Sequence, residues 1–161
     1  MLELANTGTE TAAMPRAEAF LRAGEQWLMA DEPAEAVTGF RRAMADGGPV
    51  FTDPRIPLAR AFFLLDRQAE ARALISRVKT EGPVDARTCD LVAELLVEQS
   101  DLAAALEWAT AGIELCLASE AEGQQRDDDE SELRLLLRLR YRIRNDLGLP
   151  EDAYDAMLDE S

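Results

Sequence analysis

The sequence predicts an all-α protein, an α-solenoid built from repeated helical hairpins. One pattern of small and large apolar residues recurs three times, with units that begin at Ala17, Thr52 and Ala86, spacings of 35 and 34 residues. Small residues recur where two helices must touch, and large residues recur where a neighbouring helix must be packed against. The predicted segments are an N-terminal tail (1–16), three hairpins (17–50, 52–85 and 86–118), an acidic loop (119–131) and a C-terminal helix pair (132–161).

The first hairpin has the clearest boundaries. We predict helices over residues 17–29 and 33–45. Asp31 and Pro33 mark the turn between them, because proline is well tolerated at the first position of a helix. Gly47 and Gly48, followed by Pro49, end the second helix, as a left-handed cap followed by a helix-incompatible residue should.

The second and third hairpins are delimited in the same way. Pro57 disfavours the helical conformation of the residue before it, so the second hairpin is predicted to become regular only near residue 57. Its second helix, 69–79, stops before Gly82 and Pro83. The third hairpin is predicted as helices 87–98 and 102–116, with Asp101 as the cap of the latter.

The C-terminal region departs from the repeat. Residues 119–131 are rich in Glu, Asp and Gln and read as a solvated loop. Beyond them, the apolar stripe of a long helix over 132–147 is formed by Leu136, Leu139, Ile143 and Leu147, and a short helix follows near 151–158. Arg140 and Arg144 occupy places where the other units carry apolar residues, so we predict a degenerate hairpin that caps the stack with a polar outer face.

The pattern is similar to that of the tetratricopeptide repeat (TPR) family. Eight residues of the first unit fall at positions 4, 7, 8, 11, 20, 24, 27 and 32 of a 34-residue repeat, namely Phe20, Ala23, Gly24, Trp27, Ala36, Phe40, Ala43 and Gly48. The resemblance covers residues 17–117, with a weaker echo at 134–158. It implies a right-handed superhelix whose first helices line a concave groove, commonly a docking site for peptides.

A second, weaker resemblance concerns residues 140–152, which look like small, uncharacterised bacterial TPR proteins related to SEC-C motif proteins. Some of those proteins carry a short Cys-rich zinc motif. Here the sequence has no His and no closely spaced Cys. We therefore predict no metal site and no cofactor.

The TPR resemblance also implies which side chains face the groove. In that family, positions 2, 5, 9, 12 and 13 of each first helix usually do so, which gives the candidate partner-binding residues Leu21, Glu25, Leu28, Met29, Ile56, Arg60, Phe63, Glu94 and Glu98. The wall would be apolar beside the first two hairpins and acidic beside the third. The alternative is that positions 12 and 13 only pack between helices. A clamp for C-terminal carboxylates is rejected, because it needs several Lys, Arg and Asn residues.

Composition narrows the function classes. The net charge of −15 argues against broad binding of nucleic acid, because phosphates would be repelled over most of the surface. The absence of His, of a phosphate-cradling glycine loop and of a nucleophile elbow argues against an enzyme. No uninterrupted apolar run exceeds five residues and no secretory signal is recognisable, so we expect a cytoplasmic protein with Cys89 and Cys116 as reduced thiols.

A basic stripe is the last candidate site. Arg134, Arg138 and Arg142 recur at intervals of four residues, on the helix face opposite the leucines. They could hold an acidic partner or a nucleic-acid backbone, or they could be a solvated face that the acidic run 127–130 balances.

Three functions remain open from the sequence. The leading one is an adaptor that docks a peptide or helix of another protein in the groove. A self-assembling or complex-bridging subunit that uses the repeat ends is the alternative, and a nucleic-acid binder is the weakest of the three.

Overall fold

The chain is all-helical in a computed structural model that describes residues 13–124 and 127–160, with the side chains of 127–129 left out. The described residues form eight helices, which are α1 (Arg16–Met29), α2 (Pro33–Asp46), α3 (Arg55–Leu64), α4 (Gln68–Glu81), α5 (Ala86–Glu98), α6 (Leu102–Ala121), α7 (Asp127–Asp146) and α8 (Ala153–Ala156). The predicted all-α class is confirmed.

Consecutive helices pack in pairs. The pairs α1–α2, α3–α4 and α5–α6 form hairpins, and α2 packs on α3 while α6 packs on α7. Among the first helices of the hairpins, α5 packs on α7 and contacts α3 at only a few residues. The backbones of α4 and α5 hardly meet, although they are neighbours in the chain. This is the helical-repeat fold that the period predicts.

The same left-handed turn closes every hairpin. Asp31, Asp66, Ser100 and Gly148 have φ values of 59°, 59°, 59° and 67°. After each of them, an N–H donates to the carbonyl five residues back, as from Glu32 to Trp27 at 2.9 Å, which is the Schellman end of a helix. The turns lie 35, 34 and 48 residues apart. The fourth pair is therefore a hairpin of the same kind, with additional residues before it.

The extra residues lengthen two helices, which corrects the predicted loop. Helices α6 and α7 are each 20 residues long, against 13 residues for α5 and 14 for α4. The segment 119–131 thus belongs largely to helices, with only 122–126 between them. It lacks apolar periodicity, but Ala and Glu are good helix formers and carboxylates are favourable at a helix N-terminus.

Helix α3 also begins earlier than predicted, at Arg55 rather than near Pro57. Pro57 lies in the first turn, where an N–H would have no intrahelical acceptor in any case. The first turn closes around it, because Leu58 donates to the carbonyl of Pro54 at 3.1 Å. Proline here costs the helix no hydrogen bond.

The helices of the first hairpin approach each other through glycine. A Cβ on Gly39 would lie 2.9 Å from the backbone nitrogen of Gly24, and a Cβ on Gly24 would lie 2.5 Å from the ring of Phe40. This contact lets Phe40 fill the space between α1 and α2. The core then continues without a break from Leu21 to Ile143.

A buried ion network attaches α8 and replaces the predicted polar outer face. Arg140 is buried, and its guanidinium meets Asp152 at 2.6 Å and Asp155 at 3.5 Å. Arg144 is half-buried and bonds Asp155 at 3.3 Å. The two arginines point inward to the last helix rather than outward, because a four-residue helix brings too few apolar side chains to hold itself in place.

One helix of the described chain, α6, is long and apolar enough to cross a membrane by length and composition alone. The sequence did not single out α6, because its apolar runs are short and interrupted, although the mean hydropathy of the whole helix is high. Core helices of globular proteins pass the same test, so the finding is weak evidence by itself.

Candidate functional site

The predicted groove residues divide by burial. Glu25, Met29, Glu94 and Glu98 are exposed, and Leu28 and Arg60 are half-buried. Three predicted contact residues are instead core, namely Leu21, Ile56 and Phe63. This is a correction: their side chains pack between helices. The alternative interpretation expected this only for positions 12 and 13, which include Phe63 but not Leu21 or Ile56.

Phe51 supplies the large apolar surface that these core residues do not. Its side chain is 74% exposed, although it is one of the largest apolar groups in the chain. It lies in the linker before α3, outside the helical pattern, so sequence reasoning did not single it out. Met29, which was predicted, is 79% exposed nearby on α1.

Contacts from two hairpins hold Phe51 in place. Its main-chain N–H donates to Glu18 Oε2 at 2.9 Å, and the guanidinium of Arg87 lies 4.8 Å from the centre of its ring. The bond from Phe51 and a second one from Arg22 lower the pKa of Glu18. The backbone of Phe51 is therefore held against α1, while its exposed ring is contacted by Arg87 of α5.

Phe51 borders three cavities, of about 280, 460 and 510 Å³. The first runs along α1, where Glu18, Glu25 and Met29 line it and Leu21 forms part of its wall. Its lining combines a thioether, an aromatic ring, the side chains of Arg22 and Gln26 and two carboxylates, of which Glu18 already accepts from Arg22 and Phe51. Met29 and Phe51 suit an apolar side chain, and Glu25 is the carboxylate left for a cationic one.

The 460 Å³ cavity is built around Arg55, whose hydrogen bonds are all used internally. Its guanidinium bonds Asp53 at 2.6 Å, Glu81 at 3.1 Å and the carbonyl of Gly82 at 3.0 Å. The remaining donors reach Asp53 and the carbonyl of Arg77. Arg55 therefore joins the ends of α3 and α4 and has no donor left for a ligand.

The third hairpin contributes an acidic wall. Burial raises the pKa of Asp90 to about 6, and the nearby carboxylates of Glu94 and Glu132 add to the shift while Arg87 opposes it. Burial also raises the pKa of Glu132, whose Oε1 is buried without a hydrogen-bond partner in the described residues. Ionised carboxylates crowded in this way favour an approaching cation.

Arg60, the predicted cation of the groove, is already engaged. Its guanidinium bonds Glu98 Oε1 at 2.9 Å and so links α3 to α5. Both side chains are substantially exposed, so the pair is worth no more than about 1 kcal/mol. Arg60 and Glu98 therefore act mainly as a link between the two hairpins rather than as groups available to a ligand.

The basic stripe on α7 is open to solvent. Arg134, Arg138 and Arg142 are exposed and make no ion pair or hydrogen bond within the described residues. Whether the acidic run balances them lies partly outside the described residues, because the side chains of 127–129 are not among them.

The cysteines are buried and not joined to each other. Burial raises the pKa of the Cys89 thiol to about 11, and Asp85 adds to the shift. A thiol with so high a pKa is a poor nucleophile at neutral pH. Across the described part of the chain, no three Cys, Asp or Glu side chains converge closely enough to hold a metal ion.

The groups that line the groove are suited to non-covalent recognition. They comprise an exposed aromatic ring, a flexible thioether and several carboxylates. Comparison with protein-family models, with curated proteins and with solved structures finds no match to this chain. Membership of the TPR family therefore stays a prediction.

Proposed function

We propose that this chain is a non-catalytic interaction module, a cytoplasmic TPR-type adaptor that docks a peptide or helix of a partner protein in the groove beside α1, α3 and α5. The observation that carries the proposal is Phe51, a large aromatic side chain that is exposed and yet fixed by Glu18 and Arg87. An exposed aromatic ring with fixed geometry loses little entropy on binding.

The groove also defines the chemistry of its partner. The cavity beside Phe51 and Met29 accepts an apolar side chain. Asp90 and Glu94 lie on the same helix as Arg87, one and two turns beyond it, and favour Lys or Arg. The complementary ligand is therefore a segment with one apolar anchor and basic residues next to it.

The proposal is tested by capture from the native lysate followed by titration. We expect Phe51→Ala with Met29→Ala to weaken the captured partner's binding at least about tenfold, because both apolar contacts are lost. Asp90→Lys with Glu94→Lys should weaken it similarly and reverse the salt dependence. Isothermal titration with the partner's docking segment measures both effects.

The choice of variants follows from the structure. Reversal of Glu25 and Arg60, the pair that the sequence alone would select, also breaks the bond between Arg60 and Glu98. Phe51 and Met29 avoid that complication. The matched control is Glu35→Lys with Thr38→Ala on the exposed face of α2. A partner that binds wild type, control and both groove variants equally would contradict the proposal.

A further inference from the structure

The exposed face of α7 is basic and partly apolar. Arg134, Arg138 and Arg142 form a row along its centre, and all three lack partners in the described residues although acids outnumber bases by 32 to 17 in the chain. Leu135 is 52% exposed on one side of the row, and Tyr141 is exposed on the other. Leu135 and Tyr141 thus give this basic face two exposed apolar side chains, one on each side of the arginine row.

The exposed face of α6 has the opposite charge and borders an apolar cleft. Glu107 and Glu114 are exposed and make no ion pair within the described residues, with Ala111 between them. They border a cavity of about 360 Å³ that Lys79 also lines and whose other lining residues are mainly apolar, including Val84, Trp108 and Leu115. The small side chain of Ala111 leaves room for another helix to approach closely.

The cleft exists because one packing contact of the repeat is missing. The backbones of α4 and α5 hardly meet, and the space beside Val84 and α6 leaves Leu115 40% exposed, with the buried Trp108 in its wall. No other described helix covers this space.

We propose that these two faces bind each other between copies, so that α7 of one copy docks in the α6 cleft of a second copy. The charges are complementary in sign and in spacing. Arg134 and Arg142 are about 12 Å apart along their helix, and Glu107 and Glu114 are about 10 Å apart along theirs. Leu135 or Tyr141 then enters the cleft beside Trp108.

Two other occupants of these faces are disfavoured. A nucleic acid would meet three arginines on a molecule of net charge −15. A membrane on the α6 face would have to accept Glu107 and Glu114 at the centre of the contact, and anionic lipids repel them. A contact between copies, in contrast, needs only the basic face of α7 and the α6 cleft, and every copy of this chain carries both.

Sedimentation equilibrium of the intact chain from about 1 µM to about 1 mM tests the proposal. The wild type should associate in a concentration-dependent way. Reversal of the stripe (Arg134→Glu, Arg138→Glu, Arg142→Glu) should raise the Kd at least about tenfold. Reversal of the cleft (Glu107→Arg, Glu114→Arg) should do the same. All five positions are exposed, and far-UV circular dichroism checks that each variant keeps its helix content.

Mixing the two variants gives the decisive result. Each variant keeps either the α7 stripe or the α6 cleft native. Its reversed face is complementary in charge to the reversed face of the other variant. An equimolar mixture should therefore associate within about threefold of the wild type, although each variant alone associates at least about tenfold more weakly. The control is a triple reversal elsewhere, Arg16→Glu, Arg41→Glu and Arg42→Glu, which should leave the Kd unchanged.

Several outcomes would overturn the proposal. These are a wild type that stays monomeric at the highest concentration, an association that both reversals leave intact, and a mixture that does not recover. Pelleting of the monomer with vesicles of phosphatidylcholine and phosphatidylglycerol, lost on reversal of the stripe, would assign the α7 face to a membrane instead.

Discussion

At the scale of single residues, the glycine contact of the first hairpin sets how closely two helices pack. A Cβ at Gly39 would meet backbone atoms of Gly24 at 2.9 and 3.0 Å, and these cannot move without separating α1 from α2. We expect Gly39→Ala to lower the free energy of unfolding by about 1–3 kcal/mol despite alanine's better helix propensity.

Urea denaturation measures this loss, with Thr38→Ala as the control. Thr38 is the exposed neighbour of Gly39 on α2, and its substitution should change the stability by less than about 0.5 kcal/mol. A Gly39→Ala protein that is as stable as the wild type would mean that α1 and α2 can move apart at this contact without loss of stability.

At the scale of elements, the α8 segment is held by buried ion pairs as well as by apolar packing of Tyr154, Met157 and Leu158. Removal of Arg140 leaves the nearly buried Asp155 with Arg144 alone and removes the 2.6 Å bond to Asp152. We expect Arg140→Met to destabilise the protein by about 1–3 kcal/mol, because the buried Asp155 loses one of its two ion pairs and Asp152 loses its shortest bond. Lysine should restore only part of this, since it cannot bond two carboxylates in the planar way that arginine does.

Hydrogen exchange should locate the effect of Arg140→Met at residues 152–158, where the last hairpin closes. The matched control is Arg138→Met, an exposed position on the same helix that has no partner. Equal stability of the Arg138 and Arg140 variants would contradict a structural role for the buried network.

The sequence predicted the helices more securely than the surfaces. The period located all three hairpins because small residues must recur where paired helices touch, as at Ala36, Ala71 and Ala105, which are fully buried. It missed the extension of α6 and α7, since polar residues without apolar periodicity can still be helical. It also missed Phe51, whose exposure depends on how two hairpins and Arg87 meet in space.

The buried ion network of the last hairpin could not be predicted from the sequence either. Arg140 pairs with residues 12 and 15 positions along the chain, on a helix whose placement no local pattern specifies. The buried state of Leu21 and Ile56 follows in the same way from packing between helices rather than from their position in a repeat.

At the scale of the whole molecule, stability should be greatest in mildly acidic solution, because two carboxylates impose opposite slopes. Hydrogen bonds from Arg140 hold the pKa of Asp152 well below its usual range. The contribution of Asp152 is therefore present above its unfolded pKa of about 4 and is lost as the pH falls further. Asp90 does the reverse: its folded pKa is about 6, so stability falls as the pH rises from about 4 through 6.

Melting temperatures between pH 3 and pH 8 test both slopes. Asp90→Asn should be more stable than the wild type at pH 7, by about 1–2 kcal/mol, because the folded protein then no longer ionises a partly buried carboxyl beside Glu94 and Glu132. The advantage should vanish near pH 4, where Asp90 is protonated in the folded state.

Asp152→Asn should instead be less stable than the wild type at pH 7 and approach the stability of the wild type below pH 3. Glu35→Gln on α2 serves as the exposed control. An Asp90→Asn protein that gains nothing at pH 7 would mean that the acidic wall of the groove is fully hydrated, and its predicted preference for a basic partner would lose its physical basis.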